Sequence, residues 1–222
     1  MGDLRILQLS DIHGSDFLID EITPEIKKAN LVVLPGDITH FGNGHDVKRI
    51  IDKIRKNNTQ ILSVSGNCDL PDVESYLSSH GYGLHRSIES RFGINWLGIG
   101  GSLPCPGTTP NEYSDKTLAS WLEILKEDVR PPLALLVHQP PFNTMNDRLP
   151  DGSHVGSKSL RQFIEEVTPM VCLTAHIHEG IGIDRIKNCM IINPGPFRTG
   201  KYAIINISGK KSVSAELKQI TV

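Results

Sequence analysis

The sequence has 222 residues, which is long enough for one domain with a substantial apolar core. Its 23 Lys and Arg residues nearly balance its 25 Asp and Glu residues, and no long run of one sign occurs. This balance argues against a basic arm that binds nucleic acid, a polybasic membrane tag and a disordered chain. No apolar stretch reaches the ~18–20 residues that span a bilayer. We therefore expect one domain over residues 1–222, with neither a membrane span nor a signal peptide.

The four cysteines are widely separated and form no C-x-x-C pair; they are Cys68, Cys105, Cys172 and Cys189. This spacing fits neither a disulfide framework nor a structural zinc site. Scattered thiols of this kind are typical of a reducing compartment, so we predict a cytoplasmic protein.

The first half of the chain alternates short β-branched runs with amphipathic stretches. We predict strands over Leu4–Ser10, Leu31–Leu34 and Gln60–Ser65. Between them, the apolar spacing of Leu18–Ala29 and Asp46–Asn57 predicts helices that each bury one face. This βαβαβ order favours an α/β fold with parallel strands.

The central part of the chain continues the alternation but includes two long loops. We predict loops over Gly101–Asn111 and Gln139–Gly156, and loops of this length usually carry function. The regular elements that we predict here are a helix over Pro71–Ser79, a strand and loop over Arg91–Gly101, a helix over Ser114–Asp128, a strand over Leu133–Val137, a helix over Ser157–Val167 and a strand over Met170–Thr174.

After Gly180 the pattern predicts short strands alone. They are Ile181–Ile186, Cys189–Ile192, Lys201–Ile207 and Ser212–Ile220, with a hairpin turn at Ser208–Lys211. We therefore expect an antiparallel tail.

Polar side chains that suit metal binding follow five of the predicted strands. In chain order they are Asp11 and His13, Asp37, Asn67, His138, and His176 with His178. Because the carboxyl ends of parallel strands share one edge of a sheet, we expect these side chains to meet. Imidazoles and carboxylates suit Mn²⁺, Fe²⁺, Co²⁺, Ni²⁺ or Zn²⁺ better than Ca²⁺, which prefers oxygen ligands alone.

The motifs that contain these residues occur in a recognisable order. They are Asp11-Ile12-His13, Gly36-Asp37, Gly66-Asn67-Cys68-Asp69, His138 and Ala175-His176-Ile177-His178. This order resembles the calcineurin-like metallophosphoesterase superfamily, whose pattern is D-x-H, G-D, G-N-H-[DE], H and G-H-x-H. The segments around His154 and Asn193-Pro194-Gly195-Pro196 are similar to small single-domain phosphodiesterases of that superfamily. The resemblance implies an α/β fold with a double β-sandwich flanked by helices, in four α/β/β/α layers.

The resemblance also implies a site with two divalent transition-metal ions, with Mn²⁺ favoured. Asp11, His13 and His178 would hold one ion, Asn67, His138 and His176 the other, and Asp37 would bridge both. The implied reaction is hydrolysis of a small phosphoester by a hydroxide that bridges the metals. We expect neither a membrane nor a nucleic-acid partner, and the sequence leaves the oligomeric state open.

The sequence departs from the family pattern at two positions. Ala175 replaces a glycine, which we expect to be tolerated if its backbone is ordinary. Cys68 replaces a histidine, and a thiol is a weak hydrogen-bond donor, so we predict a preference for phosphodiesters. We assign catalytic roles to Asn67, Cys68 and His154, the last as a proton donor. A packing role for Cys68 and a solvated loop position for His154 remain alternatives.

Two other functions are compatible with the same fold. A non-catalytic metal-binding scaffold is one, but every ligand position of the pattern is filled here. A nuclease is the other, but the net charge of −2 does not favour binding to a phosphate backbone.

Overall fold

Alternating strands and helices build the protein, as the computed structural model shows for residues 3–209 and 212–220. The strands in that part are β1 (Leu4–Gln8), β2 (Leu31–Pro35), β3 (Ile61–Val64), β4 (Ser87–Arg91), β5 (Ile94–Ile99), β6 (Leu133–Val137), β7 (Val171–Leu173), β8 (Gly182–Ile186), β9 (Cys189–Asn193), β10 (Lys201–Ser208) and β11 (Ser212–Gln219). The α-helices are α1 (Phe17–Glu21), α2 (Thr23–Lys28), α3 (Gly44–Arg55), α4 (Pro71–Ser79), α5 (Asp115–Lys126) and α6 (Lys158–Val167). Short 3₁₀ turns occur at Met145–Asp147 and Phe197–Thr199.

The strands form two mixed sheets. The first has the order β11-β10-β1-β2-β3, and the second has the order β4-β5-β6-β7-β9-β8. Parallel pairing joins β1, β2 and β3 in the first sheet and β5, β6, β7 and β9 in the second. The remaining pairs are antiparallel.

Apolar side chains join the layers. Between the sheets lies a buried cluster that includes Ile6, Val33, Leu62, Trp96, Leu136, Leu173, Ile192 and Ile205. Helices α1–α4 cover the first sheet through Ile19, Ile26, Val47, Ile51 and Leu77, and helices α5 and α6 cover the second through Leu118, Leu122, Leu160 and Phe163. This burial confirms the predicted double sandwich with four α/β/β/α layers.

Helix α3 shows how local sequence sets an element. Asn43 accepts a hydrogen bond from His45 N, and Asp46 accepts one from Asn43 N, so a capping box starts the helix. The residues that the helical spacing predicts to be apolar on one face, Val47, Ile50, Ile51 and Ile54, are all buried.

Two predictions of local structure need correction, and one strand was missed. The segment predicted as one helix over Leu18–Ala29 is two helices, because Pro24 cannot continue the preceding helix and instead starts α2. Strand β4 was not predicted, because it is a polar edge strand. The tail is not antiparallel throughout: its two hairpins and the pair β1–β10 are antiparallel, but β9 pairs in parallel with β7.

The predicted turn at Ser208–Lys211 is described only in part, since Lys210 and Lys211 lie outside the described residues. Within residues 3–209 and 212–220, no helix combines the length and apolar character that crossing a membrane requires.

Candidate metal centre

The candidate site lies where loops from both sheets meet. Loops after β1, β2 and β3 come from the first sheet, and loops after β6 and β7 come from the second. His138 Nδ1 donates to the Pro35 carbonyl at 2.8 Å, and His176 N lies 3.3 Å from the Asp11 carboxylate oxygens. The predicted strand ends therefore do meet. They do so at the junction of two sheets rather than at one edge of an open sheet, because the chain starts a second sheet with β4.

Asp11, His13 and His178 form one group of candidate ligand atoms. These atoms all lie within 4.8 Å of one another. His178 Nε2 is 3.3 Å from His13 Nε2 and 3.8 Å from Asp11 Oδ1. The structure thus brings together the three residues that the family resemblance assigns to one metal ion.

Asp37 lies between that group and a second one. Its Oδ2 is 3.7 Å from His13 Nε2, and its Oδ1 is 3.6 Å from His138 Nε2. His138 Nε2 is 2.8 Å from Asn67 Oδ1, and the rings of His138 and His176 are 4.9 Å apart. The carboxylate of Asp37 therefore contacts both groups, as a bridging ligand must.

The hydrogen bonds around Asn67 show that the second group suits a cation. Thr109 Oγ1 donates to Glu112 Oε1 at 2.6 Å, so it accepts from Asn67 Nδ2 at 3.1 Å and turns Asn67 Oδ1 toward His138. The Pro35 carbonyl can only accept, so in a neutral imidazole the proton is on Nδ1 and the lone pair is on Nε2. Asn67 Oδ1 and His138 Nε2 then face each other as two acceptors, and a shared metal ion satisfies both.

Burial sets the charges at the site. The side chains of Asp11 and Asp37 are buried, and burial, with Asp11 nearby, raises the pKa of Asp37. Burial also lowers the pKa of His13 to about 4 and the pKa of His176 to about 3. Both imidazoles are therefore neutral at neutral pH, which is the form that binds metals. Divalent ions would compensate the two buried carboxylates, which are unfavourable neighbours without a cation.

Four of the seven candidate ligands have a strained backbone conformation. The φ angles of Asp11, His13, Asp37 and His176 are 50°, 47°, 46° and 72°, in the left-handed region. Such conformations cost about 1–3 kcal/mol each for residues other than glycine, and they cluster at functional sites. Ala175 is absent from the residues of positive φ in the described part of the chain, so its methyl group adds no strain of this kind.

Asp69 holds two of the ligand loops together. Its buried carboxylate accepts hydrogen bonds of 2.7–3.2 Å from Gly66 N, Ile38 N, Thr39 N and Thr39 Oγ1. These bonds join the loop that carries Asp37 to the loop that carries Asn67. No role for Asp69 was predicted from the sequence, although its place in the G-N-C-D motif was a signal.

Other neighbours of the ligands had no sequence signal. Arg198 Nη2 lies 3.3 Å from His178 Nδ1, and the ring of His40 lies 5.5 Å from the ring of His13. Thr109 and Glu112, which orient Asn67, belong to the loop that precedes α5. Their relation to the ligands depends on tertiary structure, because no spacing pattern connects these segments.

Cys68 lies beside two of the candidate ligands, His13 and Asp37. Its Sγ is within 4.8 Å of ligand atoms of His13 and Asp37, and its backbone N–H donates to Asp37 Oδ1 at 2.8 Å. Burial and then the charge of Asp37 raise the pKa of the Cys68 thiol, so the thiol is neutral. The catalytic roles predicted for Cys68 and Asn67 stay predictions.

His154 makes its contacts within its own loop. Its Nδ1 donates to Asp147 Oδ1 at 2.7 Å, and its ring centroid is 5.9 Å from that of Phe142. Asp147 is fully buried and also accepts from Thr144 N and Gly156 N, each at 2.8 Å. The loop thus fixes the orientation of His154, and its role as a proton donor stays a prediction.

Comparisons with known proteins show the family of the chain and proteins of similar fold. The chain matches the model of the calcineurin-like phosphoesterase family over residues 4–180. An uncharacterized protein of Methanocaldococcus jannaschii is 36% identical over 203 residues, which cover 87% of this chain and 88% of the relative. The fold is similar to that of TT1561 of Thermus thermophilus, with a TM-score of 0.75, 17% identity and coverage of 98% of this chain and 99% of that chain. It is also similar to the calcineurin-like phosphoesterase YfkN of Bacillus subtilis, with a TM-score of 0.58, 12% identity and coverage of 99% and 91%. Because the family model covers most of its length, the chain belongs to the calcineurin-like phosphoesterase family.

Proposed function

We propose that the protein hydrolyses small phosphoesters, and phosphodiesters in preference to monoesters, with two divalent transition-metal ions of which Mn²⁺ fits best. The observation that carries this proposal is the pair of facing acceptors, Asn67 Oδ1 and His138 Nε2, beside a carboxylate that contacts both ligand groups. Family membership supports metal-dependent phosphoester hydrolysis in general, and the diester preference rests on Cys68.

The metal ions and the residues of the chain have different roles in such a site. When bound, the ions supply positive charge for the phosphate and lower the pKa of water, so that hydroxide is available near neutral pH. Asp11 and Asp37 are the two buried carboxylates of the cluster, so an excess of positive charge remains to attract an anionic ester. Asp69 and Thr109 hold the ligand loops in one arrangement before the substrate arrives.

Metal removal is the first test. Protein stripped by a chelator should lose hydrolysis of bis(4-nitrophenyl) phosphate, and added Mn²⁺ should restore it, because the ligands alone provide no strong nucleophile. Elemental analysis of the loaded protein should find two transition-metal ions per chain. Full activity of the stripped protein, or no bound transition metal after loading, would contradict the proposal.

Assays of the Mn²⁺-loaded protein also distinguish hydrolysis of small phosphoesters from the scaffold and nuclease functions. A scaffold would bind the ions but hydrolyse neither bis(4-nitrophenyl) phosphate nor 4-nitrophenyl phosphate. A nuclease would degrade DNA when Mn²⁺ is added. The complete ligand cluster favours hydrolysis over a scaffold role, and the net charge of −2 disfavours the nuclease.

Substitution of Cys68 by His tests the origin of the diester preference. A phosphomonoester has more negative charge than a diester, and an imidazolium beside the phosphate stabilises that charge, whereas a neutral thiol does not. We expect Cys68→His to raise kcat/KM for 4-nitrophenyl phosphate by at least about tenfold, a part of the ~10²–10³-fold effect of one electrostatic group in an active site. The rate for bis(4-nitrophenyl) phosphate should change less.

The matched control is Cys68→Ser, which keeps a small side chain and adds no imidazole. It should leave the ratio of the two kcat/KM values near that of the natural protein. The explanation fails if the natural protein prefers the monoester, or if Cys68→His and Cys68→Ser give the same ratio.

A further inference from the structure

A row of aromatic rings leads from the ligand cluster to solvent. The ring centroids of His178 and His13 are 5.3 Å apart, those of His13 and His40 are 5.5 Å apart, and those of His40 and Phe41 are 5.0 Å apart. Each contact is edge to face. The last ring, Phe41, is 49% exposed. An exposed apolar ring therefore lies two ring contacts away from the candidate ligand His13.

The fold holds Phe41 in a fixed and strained position. Its φ angle is 54°, a conformation that a bulky residue rarely adopts. Its backbone N–H donates to the Cys68 carbonyl at 3.1 Å. On either side, Gly42 N donates to Thr39 Oγ1 at 3.2 Å, and Thr39 Oγ1 donates to Asp69 at 2.7 Å. The hydrogen bonds that position the ligand loops therefore also position Phe41.

Neither the exposure nor the strain of Phe41 stabilises the folded chain. Exposed apolar surface loses the free energy of burial, and positive φ adds a conformational cost. Phe92 has the same φ of 54° and is 42% exposed, but there a tight hairpin turn explains it. Phe92 and Gly93, both with positive φ, join β4 to β5 as the central residues of a type I′ turn do. Phe41 lies between β2 and α3, where no hairpin requires this conformation.

The surroundings of the cluster are asymmetric. On the side of His178, the guanidinium of Arg198 is exposed and lies 3.3 Å from the ring nitrogen Nδ1. On the side of His13 lie the exposed rings of His40 and Phe41. An exposed aromatic ring and an exposed guanidinium therefore lie next to different candidate ligands, Phe41 through His40 beside His13 and Arg198 beside His178.

We propose that Phe41 is the surface on which a planar aromatic group of the substrate stacks, so that the site takes phosphodiesters of nucleosides. This inference rests on the proposed function, since it places the phosphate at the ligand cluster. Every nucleobase has a flat face, so one exposed ring binds all of them without reading their hydrogen-bonding edges. Phe41, which is not a metal ligand, thus sets the specificity of the site for this class of substrate.

Two diesters with the same leaving group test this role. The two diesters are thymidine 5′-(4-nitrophenyl phosphate) and methyl 4-nitrophenyl phosphate. Both release 4-nitrophenolate, and they differ only in the group that stays on the phosphate, which is thymidine in one and methyl in the other. With Mn²⁺-loaded protein, we expect a higher kcat/KM for the thymidine ester. Phe41→Ala should lower kcat/KM for this ester roughly tenfold more than for the methyl ester, mainly through KM, because base stacking on an aromatic ring has an effect of this size.

Two further variants control the experiment. Phe41→Tyr keeps the ring and should retain the preference for the thymidine ester. Phe92→Ala removes an equally strained and similarly exposed ring from the β4–β5 turn and should change neither ester. Chemical denaturation of Phe41→Ala should show that it is folded.

The outcomes separate this inference from the proposed function. If the natural protein hydrolyses both esters but Phe41→Ala changes them by the same factor, or changes neither, the stacking role is wrong and the phosphodiesterase function stands. If the metal-loaded natural protein hydrolyses neither ester, the proposed function is wrong, and the stacking role fails with it.

Discussion

Replacing Asp37 by Asn should lower kcat for phosphodiester hydrolysis by roughly 10²–10³-fold or more, the range for the loss of one electrostatic group in an active site. The Asp37 carboxylate lies 3.7 Å from His13 and 3.6 Å from His138, so its charge acts on both ligand groups. Asparagine can still accept the hydrogen bond from Cys68 N. The substitution therefore removes charge and a bridging oxygen while the loop keeps its main contact, and kcat measured at saturating Mn²⁺ checks the result.

The stability of the metal-free Asp37→Asn protein should move in the opposite direction to its activity. Burial raises the pKa of Asp37, so the ionised carboxylate destabilises the folded state at neutral pH when no cation is present. The free energy of unfolding of the stripped variant should therefore equal or exceed that of the stripped natural protein. Asp52→Asn, at a half-buried position of α3 outside the candidate ligands, is the control and should preserve kcat. A stripped Asp37→Asn protein that is clearly less stable, or a loaded one that keeps its kcat, would contradict this account.

Much of the fold could be predicted because its central elements follow simple patterns. Strand β6 occupies the predicted Leu133–Val137, a continuous apolar run buried on both faces. Helix α4 occupies the predicted Pro71–Ser79, because a proline in the first turn marks a helix start. The edge strand β4 was missed, since Ser87–Arg91 has no buried face to create a pattern. The parallel pairing of β9 with β7 depends on sheet order, which the local sequence does not contain.

The candidate site, like the fold, could be predicted only in part from the sequence. All seven predicted ligands lie in one cluster, because each follows a strand and strand ends converge for topological reasons. The hydrogen bonds from Glu112 through Thr109 to Asn67 could not be predicted, because they join segments from two separate loops. The ring of Phe41 was missed because the sequence does not reveal its positive φ or its exposure.

Replacing Gly66 by Ala should damage the metal centre, although the change adds only one methyl group. Gly66 has an ordinary φ, but a Cβ at this position would overlap the backbone nitrogen and the carboxylate of Asp37. The loops after β2 and β3 must then separate, although Asp69 holds them together. We expect a loss of about 1–3 kcal/mol in the free energy of unfolding, as in overpacked cores, together with weaker metal binding. Denaturant titration and calorimetric titration with Mn²⁺ measure the two effects.

Gly44→Ala provides the matched control for this change. Gly44 also has an ordinary φ, and a Cβ there would lie 3.5 Å from its nearest neighbour, the Asp72 carbonyl, at normal contact distance. As the first residue of α3 it should accept alanine with little change in stability or metal affinity. If Gly66→Ala and Gly44→Ala behave alike in both titrations, the close approach of Gly66 to Asp37 is not what positions the bridging carboxylate. If Gly66→Ala weakens Mn²⁺ binding while Gly44→Ala does not, the glycine of the G-N-C-D motif is required because Asp37 occupies the space of its missing side chain.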